Sequence, residues 1–426
     1  MFAAIHSAAV IGIDGYEVTI EVDAAQGLPQ WTIVGLPLSA VKESRERVGA
    51  ALKNSGFVVP PRRITVSLAP GDIRKDGTAF DLPIAIGILA ATGQLRNMAF
   101  TQCIFAAELG LDGTLRRIRG ALPIAKFAAS YPTKMTLVIP PPNLPEVGLV
   151  RPLTVAAPET LGALVRQLET DALELTRMSE VPAVIPTDDC DFAEVVGQES
   201  AKRALEIAAA GRHNVLLVGP PGSGKTMLAR RLPTILPQLS EAEVLEVTAI
   251  HSVAGLLSEG THAVQCTPPF RSPHHTISTA GLVGGGSNPR PGEMSLAHHG
   301  VLFLDEMLEF PRPVLDGLRQ PLEDGEVILS RANMTVKYPA KFSLVGATNL
   351  CKLLTEHRDN LVLERTRTLN RLHRHLTALE VGPVPRLNCQ CSRRQLAAWA
   401  THHLATTNPV HAVHAQIIQQ LAVCIQ

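Results

Sequence analysis

Two kinds of hydrophobic periodicity alternate in the first part of the chain. Apolar and polar residues follow each other at period two in YEVTIEVDA (16–24) and RRITVSLAP (62–70), which predicts strands. Helical spacing marks SAVKESRERVGAALKNSG (39–56) and the more apolar AFDLPIAIGILAATGQL (79–95), which predicts helices. This alternation predicts an α/β domain over residues 1–173.

A second α/β unit follows a stretch without periodicity. Residues 174–192 carry prolines and acids and are interpreted as a linker. The apolar strand HNVLLVG (213–219) leads into a glycine-rich loop, and apolar strands then alternate with helices as far as FSLVGATN (342–349). The pattern predicts a parallel sheet wrapped by helices over residues 193–350.

Composition narrows the class of protein. The net charge of the 426 residues is zero, so any contact with nucleic acid has to come from local basic patches. We find neither an apolar run of membrane-spanning length nor the charged start of a signal peptide, and therefore expect no membrane partner. Seven cysteines without framework spacing indicate free thiols. The sequence predicts a cytoplasmic protein.

The tail differs from the rest of the chain. Residues 351–426 contain nine Lys and Arg against four Asp and Glu, together with seven of the fifteen histidines. Two interpretations stay open. The tail is either a divergent helical lid, with RRQLAAWATHHLA as one helix, or a degenerate end of the gene.

The stretch GPPGSGKT fits the pattern G-x-x-x-x-G-K-[ST] and lies between a strand and a helix. Successive backbone N–H groups of such a loop point inward and surround phosphate oxygens at the helix N-terminus. Lys225 places a cation on the β- and γ-phosphates, and the Thr226 hydroxyl binds Mg²⁺. The sequence therefore predicts an ATP site formed by Gly219, Pro220, Pro221, Gly222, Ser223, Gly224, Lys225 and Thr226.

The stretch GVLFLDE supplies a second part of this site. Four apolar residues predict a buried strand, at whose carboxyl end Asp305 is expected to hold Mg²⁺ while Glu306 orients a water molecule. Asn349 ends another buried strand and is expected to bond the attacking water or the γ-phosphate. Lys225, Asp305, Glu306 and Asn349 are the predicted catalytic residues.

These motifs together resemble an AAA+ ATPase. The segment PFRSPHHTISTAGLVGGGSNPRPGEMSLAHHGVLFLDEM resembles the magnesium-chelatase-like branch, and GLPLSAVKESRERVGAALKNSGF with RRITVSLAPGDIRKDGTAFDLPIAIGILAA resembles the N-terminal domain of the ComM/YifB family. The resemblance covers residues 1–349. It implies an N-terminal domain of the Lon-protease-like, ribosomal S5 domain 2-like fold, and a P-loop AAA+ domain in which Val196 and Gly197 line the adenine pocket.

The same resemblance implies partners and a process. Members of this family are expected to form rings, here a homo-hexamer, and to move single-stranded or branched DNA with ATP and Mg²⁺. The family is associated with branch migration during natural transformation. Three rivals stay open: a metal-chelatase motor, a non-catalytic nucleotide-binding remnant, and an ATP-dependent peptidase.

The peptidase rival is tested by RKDGTAFD (74–81), which resembles the loop of the Lon-like nucleophilic serine. The serine position holds Ala79, so a hydroxyl for attack is missing there, although Thr78 is adjacent. We interpret Lys75 as a surface or DNA-facing cation.

Four histidines form adjacent pairs, His274–His275 and His298–His299. Neighbouring side chains of an extended segment point to opposite sides, and we see no carboxylate or cysteine set that completes a metal site. We expect a loop facing the ring centre, with Arg271 and Arg290 as candidate phosphate contacts; an ordinary solvated loop stays open. NCQCS (388–392) is a weak metal signal.

The resemblance stops after Asn349. The expected proline- and cysteine-rich loop, Leu-Asp-Arg-type segment and lid have no convincing counterpart in LCKLLTEHRDN (350–360), and LTALEVGPVP (376–385) is too short a match. In AAA+ rings an arginine finger contributes about 10³–10⁵ in rate. Neither Arg319 nor Arg331 is assigned to that role, so ATP binding is predicted more firmly than turnover.

Overall fold

The computed structural model describes residues 1–176, 190–257, 264–286, 289–331, 334–378, 401 and 416–417. Two compact units are present. The first comprises Met1–Leu217 and Gly224–Ala347, and the second comprises Val218–Ser223 and the chain from Thr348 onward. Most of the predicted linker lies outside the described residues, as do NCQCS (388–392) and most of both RRQLAAWATHHLA and LTALEVGPVP.

The N-terminal domain is a seven-stranded mixed sheet with helices packed on it. Its strands are β1 (Phe2–Ile11), β2 (Asp14–Ala25), β3 (Gln30–Val34), β4 (Arg63–Ala69), β5 (Cys103–Phe105), β8 (Thr136–Val138) and β9 (Thr154–Ala156), with β6 (Glu108–Leu109) and β7 (Leu115–Arg116) forming a separate ladder. Its helices are α1 (Ser39–Asn54), α2 (Asp81–Ala91), α3 (Ala121–Ala129), α4 (Leu144–Val147) and α5 (Leu161–Glu169).

The strand order is β3-β4-β2-β1-β5-β8-β9. β2 pairs antiparallel with both of its neighbours, β1 and β4. The other pairs of neighbouring strands are parallel: β3 with β4, β1 with β5, β5 with β8, and β8 with β9. Both predicted strands, 16–24 and 62–70, lie in this sheet, and residues on alternate positions of β2 and β4 are buried. The predicted buried helix is α2, which is apolar on all sides and almost wholly buried.

The second domain, predicted over residues 193–350, is built around a four-stranded sheet of order β10-β17-β14-β11, in which β11, β14 and β17 are parallel. The strands are β10 (Val215–Val218), β11 (Phe270–Arg271), β14 (Val301–Leu304) and β17 (Ser343–Thr348), with two hairpins of β12 (Gly284–Gly285) and β13 (Arg290–Pro291), and of β15 (Glu326–Arg331) and β16 (Met334–Pro339). The prediction of an α/β fold with a parallel sheet is confirmed.

Helices accompany this sheet along the chain. They are α6 (Glu199–Gly211), α7 (Lys225–Arg231), α8 (Glu241–Ala254), α9 (Thr279–Val283), α10 (Glu293–Leu296), α11 (Arg312–Asp316), α12 (Arg319–Asp324) and α13 (Leu350–Ala378). α8 begins with a capping box, in which Ser240 and Glu243 bond each other's backbone N–H groups.

The two domains predicted as separate share a packed boundary within the first unit. Ala249 of α8 belongs to the same buried cluster as residues of α3 and β8. The N–H of Gly120 donates to the carbonyl of Ser252 at 3.1 Å, and the Ser252 hydroxyl donates to the buried Glu146 carboxylate at 2.5 Å. The boundary is therefore held by both apolar packing and buried hydrogen bonds.

Candidate functional site

The glycine-rich loop joins the end of β10 to the start of α7. Gly222 and Gly224 have φ angles of +75° and +82°, in the left-handed region that glycine adopts at little energetic cost. Lys225 is the first residue of α7. Within the second unit, the Gly219 N–H donates to the Thr348 carbonyl at 3.3 Å, which ties the loop's first residue to the end of β17.

Within the first unit, the structure brings together the two predicted metal ligands. The Thr226 hydroxyl donates to Asp305 Oδ2 at 2.9 Å, and the N–H of Glu306 donates to Oδ1 at 3.0 Å. Thr226 lies on the first turn of α7, and Asp305 follows β14, whose four residues are all buried. An apolar strand has to end before a carboxylate, because an unpaired charge within it would lose its hydration.

The donor set fits a magnesium ion. Mg²⁺ prefers oxygen ligands and is typically bound through one or two carboxylates together with phosphate oxygens and water. A hydroxyl and a carboxylate oxygen 2.9 Å apart at the start of a helix that follows a phosphate loop provide such ligands. Thr226 and Asp305 are the residues that would hold this ion.

Glu306 is exposed and has a φ angle of +50°, which is unusual for a residue with a side chain. Strain of this kind is found at functional sites. His275 and Glu309 lie next to it, since one ligand atom from each of the three side chains falls within 4.8 Å of the others. His275 Nε2 is 3.6 Å from Glu309 Oε2. The sequence analysis named His275 only as a member of a histidine pair and did not name Glu309, although Glu309 follows Glu306 by one helical turn.

For the remaining predicted nucleotide contacts, the structure gives only their positions relative to the helices and strands. Val196 and Gly197 precede α6, and the Val196 side chain is 93% exposed. Gly219, Pro220, Pro221, Gly222 and Ser223 belong to the second unit, as does Asn349, which follows β17. Their assignment to nucleotide binding stays a prediction.

The histidine pairs correct the sequence analysis. Ring centroids are 4.0 Å apart in both His274–His275 and His298–His299, so neighbouring rings lie side by side instead of pointing apart. His299 has a φ angle of +57°, and such a residue breaks the extended geometry that the prediction assumed. Carboxylates also lie beside both pairs, which the prediction excluded.

His298 is buried, so it does not belong to a loop at a ring centre. Its Nδ1 accepts the Lys341 N–H at 3.0 Å, and its Nε2 lies 3.0 Å from Glu246, as His299 Nε2 does at 3.1 Å. Burial lowers the pKa of His298 to about 4, so the ring is neutral and its proton is on Nε2, facing the carboxylate. A protonated Nε2 has no lone pair for a metal, and this cluster is a hydrogen-bonded support before β14.

Lys75 also departs from the prediction of a surface or DNA-facing cation. Its side chain is fully buried, and its ammonium group donates to the Pro70 carbonyl. Desolvation by burial lowers its pKa. The N–H of Leu38 donates to the Lys75 carbonyl at 3.0 Å, so the residue holds the loop before α1 in place and is a structural cation.

The two candidate phosphate arginines differ. Arg271 forms a two-point ion pair with Glu293, at 2.6 and 2.8 Å, so its guanidinium is already engaged. Arg290 is exposed on β13. Of the arginines considered for a finger, Arg319 lies 3.4 Å from Asp316 on an exposed helix turn, and the Arg331 side chain lies outside the described residues.

The described part of the tail up to residue 378 is one helix. α13 spans 29 residues and carries four leucine and valine side chains that are 52–59% exposed: Leu354, Leu361, Val362 and Leu363. Among the helices that the structure describes, none combines the length and the apolarity required to cross a membrane.

Comparison with known proteins places this site in a family. Residues 191–393 match the family described as magnesium chelatase, subunit ChlI, and residues 20–143 match subunit ChlI of Mg-chelatase. The first match runs past Cys351, where we found no counterpart in the sequence.

Curated relatives extend this result. The competence protein ComM of Haemophilus influenzae is 46% identical over 352 residues, which cover 82% of this chain and 68% of that protein. The YifB protein of Escherichia coli is 45% identical over 346 residues, or 81% and 67% of the two chains. A magnesium-chelatase 38 kDa subunit of Rhodobacter capsulatus is 29% identical over 175 residues, or 37% and 49%. The chain therefore belongs to the ComM/YifB family of magnesium-chelatase-like AAA+ ATPases.

Proposed function

We propose that this protein binds and hydrolyses ATP with Mg²⁺ at the glycine-rich loop, and uses the energy to move DNA. The observation that carries the proposal is the 2.9 Å hydrogen bond between Thr226 and Asp305. It joins the end of the phosphate-loop motif to the end of β14, two segments 79 residues apart in the chain that the chemistry requires at one point.

Each predicted residue has a separate task. The loop Gly219–Gly224 binds the phosphates through its backbone N–H groups, which Pro220 and Pro221 lack, together with the Lys225 ammonium. Val196 with Gly197 contacts the adenine. Glu306 orients the attacking water from its exposed, left-handed position, and Asn349 donates to that water or to the γ-phosphate. Mg²⁺, held by Thr226 and Asp305, neutralises charge on the phosphate oxygens when bound.

The proposal that the substrate is DNA is supported by sequence similarity to a relative. The ComM relative carries the name competence protein, and competence is the uptake of DNA. We propose that this chain acts in the cytoplasm as a homo-hexameric ring on single-stranded or branched DNA, in branch migration during natural transformation.

The test is ATP hydrolysis by the purified protein with and without single-stranded and branched DNA, with Lys225→Ala as the inactive control. We expect DNA to stimulate a turnover that Lys225→Ala abolishes. A matched control is Lys53→Ala, since Lys53 is an exposed lysine in the last turn of α1, in the N-terminal domain. Turnover that persists in Lys225→Ala, or that DNA leaves unchanged, would contradict the proposal.

A second candidate is a non-catalytic nucleotide-binding remnant. It is favoured by the exposed apolar residues of α13, since a packed lid would bury such side chains. This candidate predicts ATP binding without turnover, and resequencing the gene across codon 350 would test a frameshift directly. The metal-chelatase alternative is favoured by the two magnesium-chelatase family matches and by the more distant 38 kDa relative, and stimulation by DNA would argue against it.

A further inference from the structure

A cavity of about 430 Å³ lies where the N-terminal domain meets the ATPase core, within the first unit. One wall is formed by β1 and by the loop that holds Thr78 and Ala79, ahead of α2. Another part of the wall is formed by the C-terminal end of α8 and by residues of β13 and β16. We call this cavity the arginine cleft, after four lining residues: Arg74, Arg117, Arg119 and Arg290.

Three of these arginines are available to a ligand. Arg74, Arg119 and Arg290 are exposed, and within the described residues none of them forms a side-chain hydrogen bond or an ion pair. Arg119 runs along the end of α8, where its Nε would lie 2.7 Å from a Cβ placed on Gly255. Arg117 is already engaged, 3.8 Å from the buried Glu146.

The acids of the cleft leave an excess of positive charge. Asp76 and Glu108 are the acidic residues that line it, against three arginines besides Arg117, whose charge Glu146 offsets. Asp76 is partly engaged, since its Oδ1 accepts the Gly77 N–H at 2.8 Å. Like charges gathered in a concave site with low-dielectric walls concentrate the field and attract anions.

The shape and chemistry of the cleft suit phosphate. A guanidinium presents a planar fork of N–H donors that matches phosphate oxygens, and it stays charged at any physiological pH. A volume of about 430 Å³ lies in the range of small-molecule sites and can hold one nucleotide unit. Ala79, the position at which the resemblance to Lon-like peptidases would place a serine, also lies on the wall of this cleft and offers no hydroxyl there.

We propose that the arginine cleft binds the phosphate groups of a nucleic-acid strand or of a free nucleotide, through Arg74, Arg119 and Arg290. Binding of a nucleic-acid strand rests on the proposed function as a DNA motor, and it would give that motor a DNA contact outside the ATP site. Because Arg290 belongs to the ATPase core and the other two belong to the N-terminal domain, the ligand would bridge both domains.

The experiment measures binding of a fluorescently labelled single-stranded oligothymidylate as a function of salt, without ATP. The test variant is Arg74→Ala with Arg119→Ala and Arg290→Ala. The control removes three exposed arginines of the N-terminal domain that lie outside the cleft: Arg62→Ala, Arg63→Ala and Arg96→Ala. A third variant replaces the three cleft arginines by lysine, which keeps the charge.

For a single-stranded ligand, each phosphate contact contributes about −0.7 to the slope of log K against log salt concentration. Losing three contacts should make the slope shallower by about 2. When salt is raised from about 50 to 200 mM, the fold loss of oligothymidylate affinity should therefore be roughly twentyfold smaller in the test variant than in the wild type. The lysine variant should keep the wild-type slope, and the control variant should follow the wild type. A thermal melt verifies that all variants are folded.

A parallel arm measures ATP binding in a Lys225→Ala background, in which the glycine-rich loop is disabled. Loss of residual ATP binding on removing the cleft arginines, with oligothymidylate binding unchanged, would identify a free nucleotide as the phosphate source. If neither ligand responds to the cleft arginines, or if the control variant changes as much as the test variant, the proposal is wrong. Neither arm uses turnover, so a failure of the ATPase proposal is seen separately.

Discussion

Asp81 offers a test of how buried charge is handled in the N-terminal domain. It lies at the start of α2, is fully buried, and accepts two hydrogen bonds from Arg47, at 2.7 and 2.9 Å. Burial raises the pKa of Asp81 to about 6 from an ordinary 3.8, and Arg47 counteracts only part of that rise. The pair is attractive, since it raises the pKa of Arg47, but the attraction is smaller than the desolvation penalty.

The sign of the pH effect follows from these values. Because the carboxyl of Asp81 has a higher pKa in the folded state, the folded state binds more protons between about pH 4 and 6, and the free energy of unfolding falls as pH rises through that window. A shift of about 2 units corresponds to roughly 3 kcal/mol. Asp81→Asn resembles the protonated side chain, so it should match the wild type near pH 4 and be more stable by about 2–3 kcal/mol at pH 7.

The assay is urea unfolding between pH 4 and 7, followed by the fluorescence of Trp31 in a Trp399→Phe background. Trp31 lies on β3 of the same domain, and Asp171→Asn serves as the control for loss of a surface charge. Removing one partner of a buried ion pair that stabilises a protein costs about 3–5 kcal/mol. A destabilisation of that size by Asp81→Asn at pH 7 would refute the reasoning.

Two further predictions concern the ATPase core. Glu306→Gln keeps the size of the side chain but removes the charge that orients water, and should lower ATP turnover by about 10²–10⁴-fold. Nucleotide binding, measured by titration with a fluorescent ATP analogue, should be retained. Unchanged turnover would exclude Glu306 as the residue that orients the attacking water. Gly300→Ala would place a Cβ 2.0 Å from the Pro269 carbonyl oxygen and should destabilise the core by more than about 1–3 kcal/mol in a thermal melt. Gly71→Ala meets nothing within 4 Å and is its control; equal melting of the two variants would contradict the packing argument.

The sequence predicts those features that depend on a few neighbouring residues in the chain. The Gly219–Thr226 loop and the strand that ends at Asp305 were found because each depends on a few adjacent residues, and their meeting through Thr226 was expected from the parallel sheet. The burial of Lys75 depends on the Pro70 carbonyl as its partner, and nothing in a solvated-looking Arg-Lys-Asp stretch indicates that partner. The position of His298 likewise depends on Glu246, 52 residues earlier.

The boundary between the two domains is the clearest feature that local pattern could not supply. Composition separates residues 1–173 from 193–350, and interfaces between such domains are by default mobile. α8 contradicts that expectation, since its C-terminal end is bonded to the N-terminal domain through Ser252. Its N-terminal half approaches the segment before β14, where Glu246 contacts His298 and His299.

One helix therefore connects the N-terminal domain to the strand that carries Asp305. The contacts of Glu246 with the two histidines hold one part of α8, and the Ser252–Glu146 hydrogen bond holds its C-terminal end. A buried carboxylate that loses a donor destabilises the protein by about 1–3 kcal/mol, so separating α8 from the N-terminal domain at Ser252 is unfavourable by about that amount. The arginine cleft has walls from both domains, so the packing and the hydrogen bonds of this boundary also hold its walls together.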